Sequence, residues 1–287
     1  MSPAAAPAGA VGVGGDPVPG SPGTTVPVRP LSFREQLDEP FALIQANVVA
    51  LAVLTAAGVA LAEGLVFGVT ALVSALTEGS DAGVGWGAAL GAAVAILLLR
   101  FLIRGCTVAL GLATLHGSKA GPTAALVALR PRLGGLLRYQ LWFTPVGVLV
   151  GGIVLPLTGG AGVLWLAYLR ARYYLVIPLL LGEQLPYAAA VARSRLLADR
   201  ASWSLAWLWI CRMLLLTVLA VPLLAIPLYL SDYTGTHRWA VILLITGGAL
   251  LIAAIGELID AAGRVVCYVD RRCRREGWDI VVAGGPR

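Results

Sequence analysis

The chain has 287 residues, 59% of them hydrophobic and 13% charged, with a net charge of +6 and a mean hydropathy of +0.86. A soluble domain carries about a quarter charged residues, so too little polar surface is present to cover a globule in water, and the apolar residues fall in blocks near the ~20 residues that cross a ~30 Å hydrocarbon layer. The basic charge flanks those blocks without interleaved aromatics, which argues against a nucleic-acid surface, and the single Lys119 beside twenty Arg fits a GC-rich bacterial genome.

Residues 1–28 are Ala, Pro and Gly with almost no charge. No basic segment precedes an apolar one, so a secretory signal is not expected. The segment buries too little to offset its ordering entropy and is expected to be a disordered cytoplasmic tail. A six-span membrane domain is expected over 29–265 and a basic cytoplasmic tail over 266–287. Ser32 followed three residues on by Glu35 is a capping box that opens an amphipathic helix through about Asn47. The first span is expected over Val48–Leu76, then a turn at Glu78–Asp81 and a second span over Trp86–Leu112.

His116–Arg138 is a basic connection with a second short helix from about Thr123. The third span is expected at Leu141–Leu157, a tight turn at Thr158-Gly159-Gly160, and the fourth span at Val163–Leu181. A third amphipathic segment, Pro186–Arg200, leads to the fifth span, Trp203–Leu230, which Pro222 and Pro227 should bend. Ser231–His237 reads as a loop before the sixth span, Trp239–Ala262. The fold class is therefore all-α, a polytopic bundle of about six transmembrane helices. An amphipathic helix precedes a membrane hairpin three times, which suggests a threefold repeat with a cytoplasmic collar. Glycines at small-xxx-small spacing, among them Gly87, Gly91, Gly147, Gly151 and Gly152, favour close helix packing.

Fifteen of the basic residues fall on one side of this arrangement and only Arg238 on the other, with five Arg inside spans. The positive-inside rule puts both termini in the cytoplasm of a bacterial plasma membrane.

Ionisable residues inside spans are the functional suspects, because each costs at least about 2.5–3.5 kcal/mol at the membrane centre. Arg100 and Arg104 share a helix face, as do Glu257, Asp260 and Arg264. Arg104, Arg212, Glu257 and Asp260 lie in the same half of their spans, so Arg100, Arg104, Arg212, Glu257 and Asp260 form the candidate polar cluster. Glu63, Arg170 and Arg172 are secondary candidates; Glu63 could rest against hydroxyls or pair with Arg170. The cluster reads either as a ligand or ion site or as a structural salt-bridge network. Arg271, Arg272, Arg274 and Arg275 form a polybasic patch that either contacts anionic lipids or only sets topology.

No nucleophile elbow, zinc helix or phosphate loop is present. His116 and His237 fall on opposite sides, and the four cysteines lack C-x-x-C spacing and read as small hydrophobes. No catalytic residue, metal or cofactor is expected.

Three stretches carry a resemblance. Val28-Arg29-Pro30-Leu31-Ser32-Phe33-Arg34-Glu35-Gln36-Leu37 is the first. The second runs from Pro178 and Glu183 through Arg193-Ser194-Arg195-Leu196-Leu197 to Trp203. The third is Tyr268-Val269-Asp270-Arg271-Arg272-Cys273-Arg274-Arg275-Glu276-Gly277-Trp278-Asp279-Ile280. In this order they resemble the membrane-domain family named after glycerophosphoryl diester phosphodiesterases, in its stand-alone bacterial form. The resemblance implies a multi-span domain of unassigned molecular function and no phosphodiesterase activity, since the sequence has no counterpart of the soluble barrel or its His, Glu and Asp metal ligands. The function expected first is a non-enzymatic scaffold or accessory subunit of an envelope or export system, with membrane-protein partners or a second copy. The alternative is a transporter or lipid-handling protein using the intramembrane Arg/Glu/Asp cluster.

Overall fold

The computed structural model describes residues 27–149, 153, 157–158, 161–234 and 238–277. These are helical throughout, with no strand among the described residues. The expectations for 1–26, Gly151, Gly152, Gly159, Gly160 and 278–287 lie outside them.

A short helix, α1 (Phe33–Ala46), is followed by α2 (Val48–Leu76) and α3 (Asp81–Leu115). Next comes α4 (Pro122–Leu129), and α5 (Leu133–Leu149) follows after a single 3-10 turn. Then come α6 (Ala161–Arg172) and α7 (Val176–Gly182). The last described helices are α8 (Tyr187–Ala198), α9 (Ser202–Thr234) and α10 (Arg238–Glu276). Among the described residues, five segments are long and apolar enough to cross a membrane: α2, α3, α6 with α7, α9 and α10. The chain is thus a multi-pass helical membrane protein. The expected third span is described as a helix only to Leu149.

The capping box at α1 forms as expected: the Ser32 hydroxyl accepts from the Glu35 N–H, and the Glu35 carboxylate accepts from the Ser32 N–H. Arg29 pairs with Glu35 at 2.5 Å. Small residues set the α2–α3 crossing. A Cβ on Gly87 would lie 3.0 Å from the Thr70 Cα, and one on Gly91 would lie 3.1 Å from the Val66 Cα. Without side chains there, the two backbones approach and gain dispersion contacts that lipid cannot supply. Gly147, in contrast, faces nothing within 4 Å.

Three expected boundaries change. The fourth span is broken: Tyr173–Leu175 form a turn between α6 and α7. The loop expected from Ser231 is helical to Thr234, and Pro222 and Pro227 lie inside α9 without ending it. At 265–266 no helix end marks the expected boundary, because α10 runs unbroken to Glu276. Thirty-nine residues make a rod of roughly 58 Å, nearly twice the hydrocarbon thickness.

The two ends of the bundle differ accordingly. At one end Trp86, Leu90, Val94 and Leu98 of α3 and Leu243, Leu244 and Leu251 of α10 are exposed apolar residues, the surface expected toward lipid. At the other, Ile259 to Asp270 of α10 are buried without interruption. The short helices α1, α4, α7 and α8 supply the cover there. Leu31, Leu43, Ala125, Leu129, Ala190 and Leu197 join one core with Val265, Val266 and Val269.

Candidate functional site

Glu257 of α10 is 1% exposed at its side chain and takes two guanidiniums from α3. Arg104 donates from Nε at 2.5 Å and from Nη2 at 2.9 Å, a bidentate clamp, and its Nη1 donates to the Gln140 side chain at 2.7 Å. Arg100 reaches Glu257 with Nε at 2.8 Å. The i, i+4 spacing of the two arginines puts both on the face that meets α10, as expected.

Asp260, one turn on, accepts from Arg264 Nε at 3.1 Å and Nη2 at 2.9 Å. Arg170 of α6 approaches it at 3.3 Å and lies over the Trp209 ring. Among the described residues, its Nε is buried without a hydrogen-bond partner, as is the second oxygen of Asp260.

Two buried arginines are occupied by a job the sequence reading missed. Pro178 has no N–H to give the carbonyl four residues before it and clashes with it, so the helix opens at Tyr173–Leu175 and the Tyr174 carbonyl is left over. Arg264 Nη1 donates to that carbonyl at 3.1 Å and to the Tyr139 hydroxyl at 2.9 Å. Pro40 inside α1 likewise leaves the Gln36 carbonyl without its helical donor, and Arg212 Nη2 donates to it at 2.8 Å. Arg212 also donates to the Tyr174 hydroxyl. It is therefore outside the carboxylate cluster in which it was expected. The sequence carries half of the signal: Pro40 and Pro178 mark the carbonyls that lose a helical donor, but nothing in it marks the arginines that reach them.

The remaining candidates disperse. Glu63 receives the Thr246 hydroxyl at 2.6 Å, the hydroxyl alternative, while its other oxygen is buried without a partner. Arg172 is exposed, and only its carbonyl is engaged, by Ser194. The four tail arginines are all held by carboxylates. Arg271 and Arg274 pair with Asp270 at 2.7 and 2.9 Å, Arg272 with Glu276 at 2.9 Å, and Arg275 with Asp199 at 3.5 Å. Asp270 is completely buried and also accepts from the Leu31 N–H at 2.8 Å.

Two cavities adjoin the polar cluster and share Arg100 and Arg170. The larger, about 330 Å³, has Arg100, Arg170, Glu257 and Asp260 at its base; Met213, Leu216, Ala220 and Ile252 line it with α9 and α10 side chains. Thr217 also lines it and is exposed on α9. The second, about 300 Å³, is lined by the same two arginines with Arg104, Tyr139, Gln140 and Thr144. Among the described residues, Arg100, Arg104, Arg170 and Arg264 face only Glu257 and Asp260 around these spaces, so four guanidiniums meet two carboxylates. Unpaired charge in a low-dielectric interior is costly, and the arrangement is suited to receiving an anion. Among the described residues, no group of three His, Cys, Asp or Glu is placed to hold a metal.

The chain matches no family model, no curated protein and no solved structure. The three stretches that carry the resemblance do meet in space. Asp270 and Arg274 of the third bind the Leu31 backbone of the first, Arg274 through the carbonyl at 2.7 Å. Tyr268 of the third donates to Glu183 of the second at 3.0 Å.

Proposed function

We propose that this multi-pass membrane protein binds an anionic lipid headgroup in the cavity walled by Arg100 and Arg170, and that lipid handling is its function. One observation carries the reading: an excess of guanidiniums over carboxylates around a cavity with a polar base and apolar walls. A phosphate would sit at the base, where Arg100 has used only Nε and Arg170 lacks a partner for its own Nε. The first methylenes of an acyl chain would follow Met213, Leu216 and Ala220 toward Thr217. A volume of about 330 Å³ falls among small-ligand sites.

The charge asymmetry of the sequence orients the cluster toward the cytoplasmic leaflet of a bacterial plasma membrane, where anionic lipid would enter. The scaffold reading has less support, because it relied on amphipathic helices free to dock partners. The apolar sides of α1, α4 and α8 are spent on α3 and α10 inside the molecule. Membership of the phosphodiesterase-associated membrane-domain family stays a proposal, supported by the meeting of its three stretches around Asp270 and Glu183.

The test is native mass spectrometry of the protein released from native-lipid nanodiscs, comparing wild type with Arg100→Gln/Arg170→Gln. A retained anionic lipid that is lost in the variant, at unchanged thermal stability, supports the reading. A wild type that carries no anionic adduct, or a variant that keeps it, sinks it.

A further inference from the structure

A second basic site lies away from the central cluster. Arg138 of α5, Tyr173 of the α6–α7 turn and Tyr187 and Arg195 of α8 line a cleft of about 660 Å³ with Leu141 and Trp142. Arg138 lies over the Tyr187 ring at 5.4 Å and Arg195 over the Tyr173 ring at 4.9 Å, and Arg195 also donates to the Tyr173 hydroxyl. Among the described residues, neither guanidinium has a carboxylate within the 4.0 Å of an ion pair, unlike the four tail arginines. Stacking on the rings restrains the two cations while leaving N–H groups free to donate.

Location adds the second argument. Leu137, Leu141 and Trp142 of α5 are exposed apolar side chains. The first turn of α8, which has no side-chain cap, supplies Tyr187 and Ala188 to the same cleft. The cleft therefore stands where apolar α5 meets the polar collar, the depth at which Trp, Tyr and Arg meet headgroups. The N-terminus of α8, whose first turn lines the cleft, and the two cations all favour negative charge.

We propose that this cleft binds the phosphate headgroup of an anionic phospholipid, separately from the central cavity. A zwitterionic headgroup fits less well, since no carboxylate lines the cleft to receive its ammonium group. The observations are independent of those behind the central site, and the experiment separates the two.

Full-length protein is placed in nanodiscs of phosphatidylcholine with a titrated fraction of phosphatidylglycerol, and retained lipid is counted by native mass spectrometry. Wild type, Arg138→Gln/Arg195→Gln and Arg100→Gln/Arg170→Gln are compared. Both cleft arginines are exposed, so the first variant should fold normally. It should lose one bound phosphatidylglycerol, with apparent affinity down about thirty-fold for two interfacial cations. The central variant should keep that lipid, whatever becomes of the central one. Equal retention by wild type and the Arg138→Gln/Arg195→Gln variant overturns the proposal. So does equal retention of phosphatidylcholine, and displacement of the lipid by millimolar inorganic phosphate would reassign the cleft to a soluble anion.

Discussion

At the scale of single residues, the arginines inside the bundle divide by what they hold. Arg100, Arg104 and Arg170 meet carboxylates beside the cavities, Arg264 holds both a carboxylate and a carbonyl, and Arg212 holds a carbonyl and a hydroxyl. A guanidinium with five donors and a delocalised charge is the side chain best able to do this in a dry interior. The position of Arg212 depends on a glycine. A Cβ at Gly263 would stand 2.1 Å from Arg212 Nη1 and 2.3 Å from its Cζ, so Gly263→Ala must displace the guanidinium. The displaced group leaves the Gln36 carbonyl unpaired in the core. We expect a loss of about 2–3 kcal/mol in a thermal or denaturant melt, whereas Gly64→Ala, where nothing lies within 4 Å, should be near neutral. Equal effects would mean that Arg212 is free to move. The Arg–Glu cluster was legible in the sequence because ionisable residues stand out against apolar blocks and i, i+4 spacing fixes their face. The role of Arg212 was not, because it depends on a proline 172 positions earlier in the chain, at Pro40, and only folding brings the two together.

At the scale of elements, α10 is the instructive case. Its basic run from Arg271 to Arg275 reads as a solvated tail, because charge density ends an apolar block. Asp270 reverses that reading. Buried, it anchors Arg271 and Arg274 and fastens the entry of α1, so residues 266–270 and Cys273 belong to the core. Asp270→Ala should leave both guanidiniums and the Leu31 N–H without their acceptor, at about 3–5 kcal/mol, and α1 amides should lose exchange protection. Arg275→Ala removes only exposed contacts to the Asp199 carboxylate and carbonyl and should cost no more than about 1 kcal/mol. If both variants behave alike, the segment is a tail after all. The α1 cap was fully legible, since it needs only residues 32 to 35. Hydrogen bonds from Arg29 and from Ser32 hold the Glu35 carboxyl down at about 2, below an ordinary 4.5. A depressed carboxyl contributes its stability above about pH 4.5 and loses it as pH falls toward 2. The cap is therefore intact at any physiological pH. The break in the fourth span was also encoded, in Pro178, but a hydropathy window averages across it.

At the scale of the whole molecule, the packing and the charge count point the same way. The segment of α10 buried on all sides and the four short helices that cover it occupy the end carrying most of the basic residues, while the exposed apolar surfaces of α3 and α10 occupy the rest. An α-helix satisfies its own backbone, so an apolar stretch can face lipid directly; the collar exists because the long helices outrun the hydrocarbon and must be covered by protein or water beyond it. The sides of the molecule can be tested with single cysteines. Asp81 begins α3 on the side opposite the collar, and Lys119 precedes α4 on the collar side. Cys106, Cys267 and Cys273 are buried, and Cys211 is partly buried within α9, so the native thiols should give little background. In intact cells an impermeant maleimide should label Asp81→Cys, and Lys119→Cys only after permeabilisation. The reverse pattern would turn the molecule over, placing the collar and both arginine sites toward the outer leaflet. A lipid drawn into the central cavity would then come from the opposite side of the membrane.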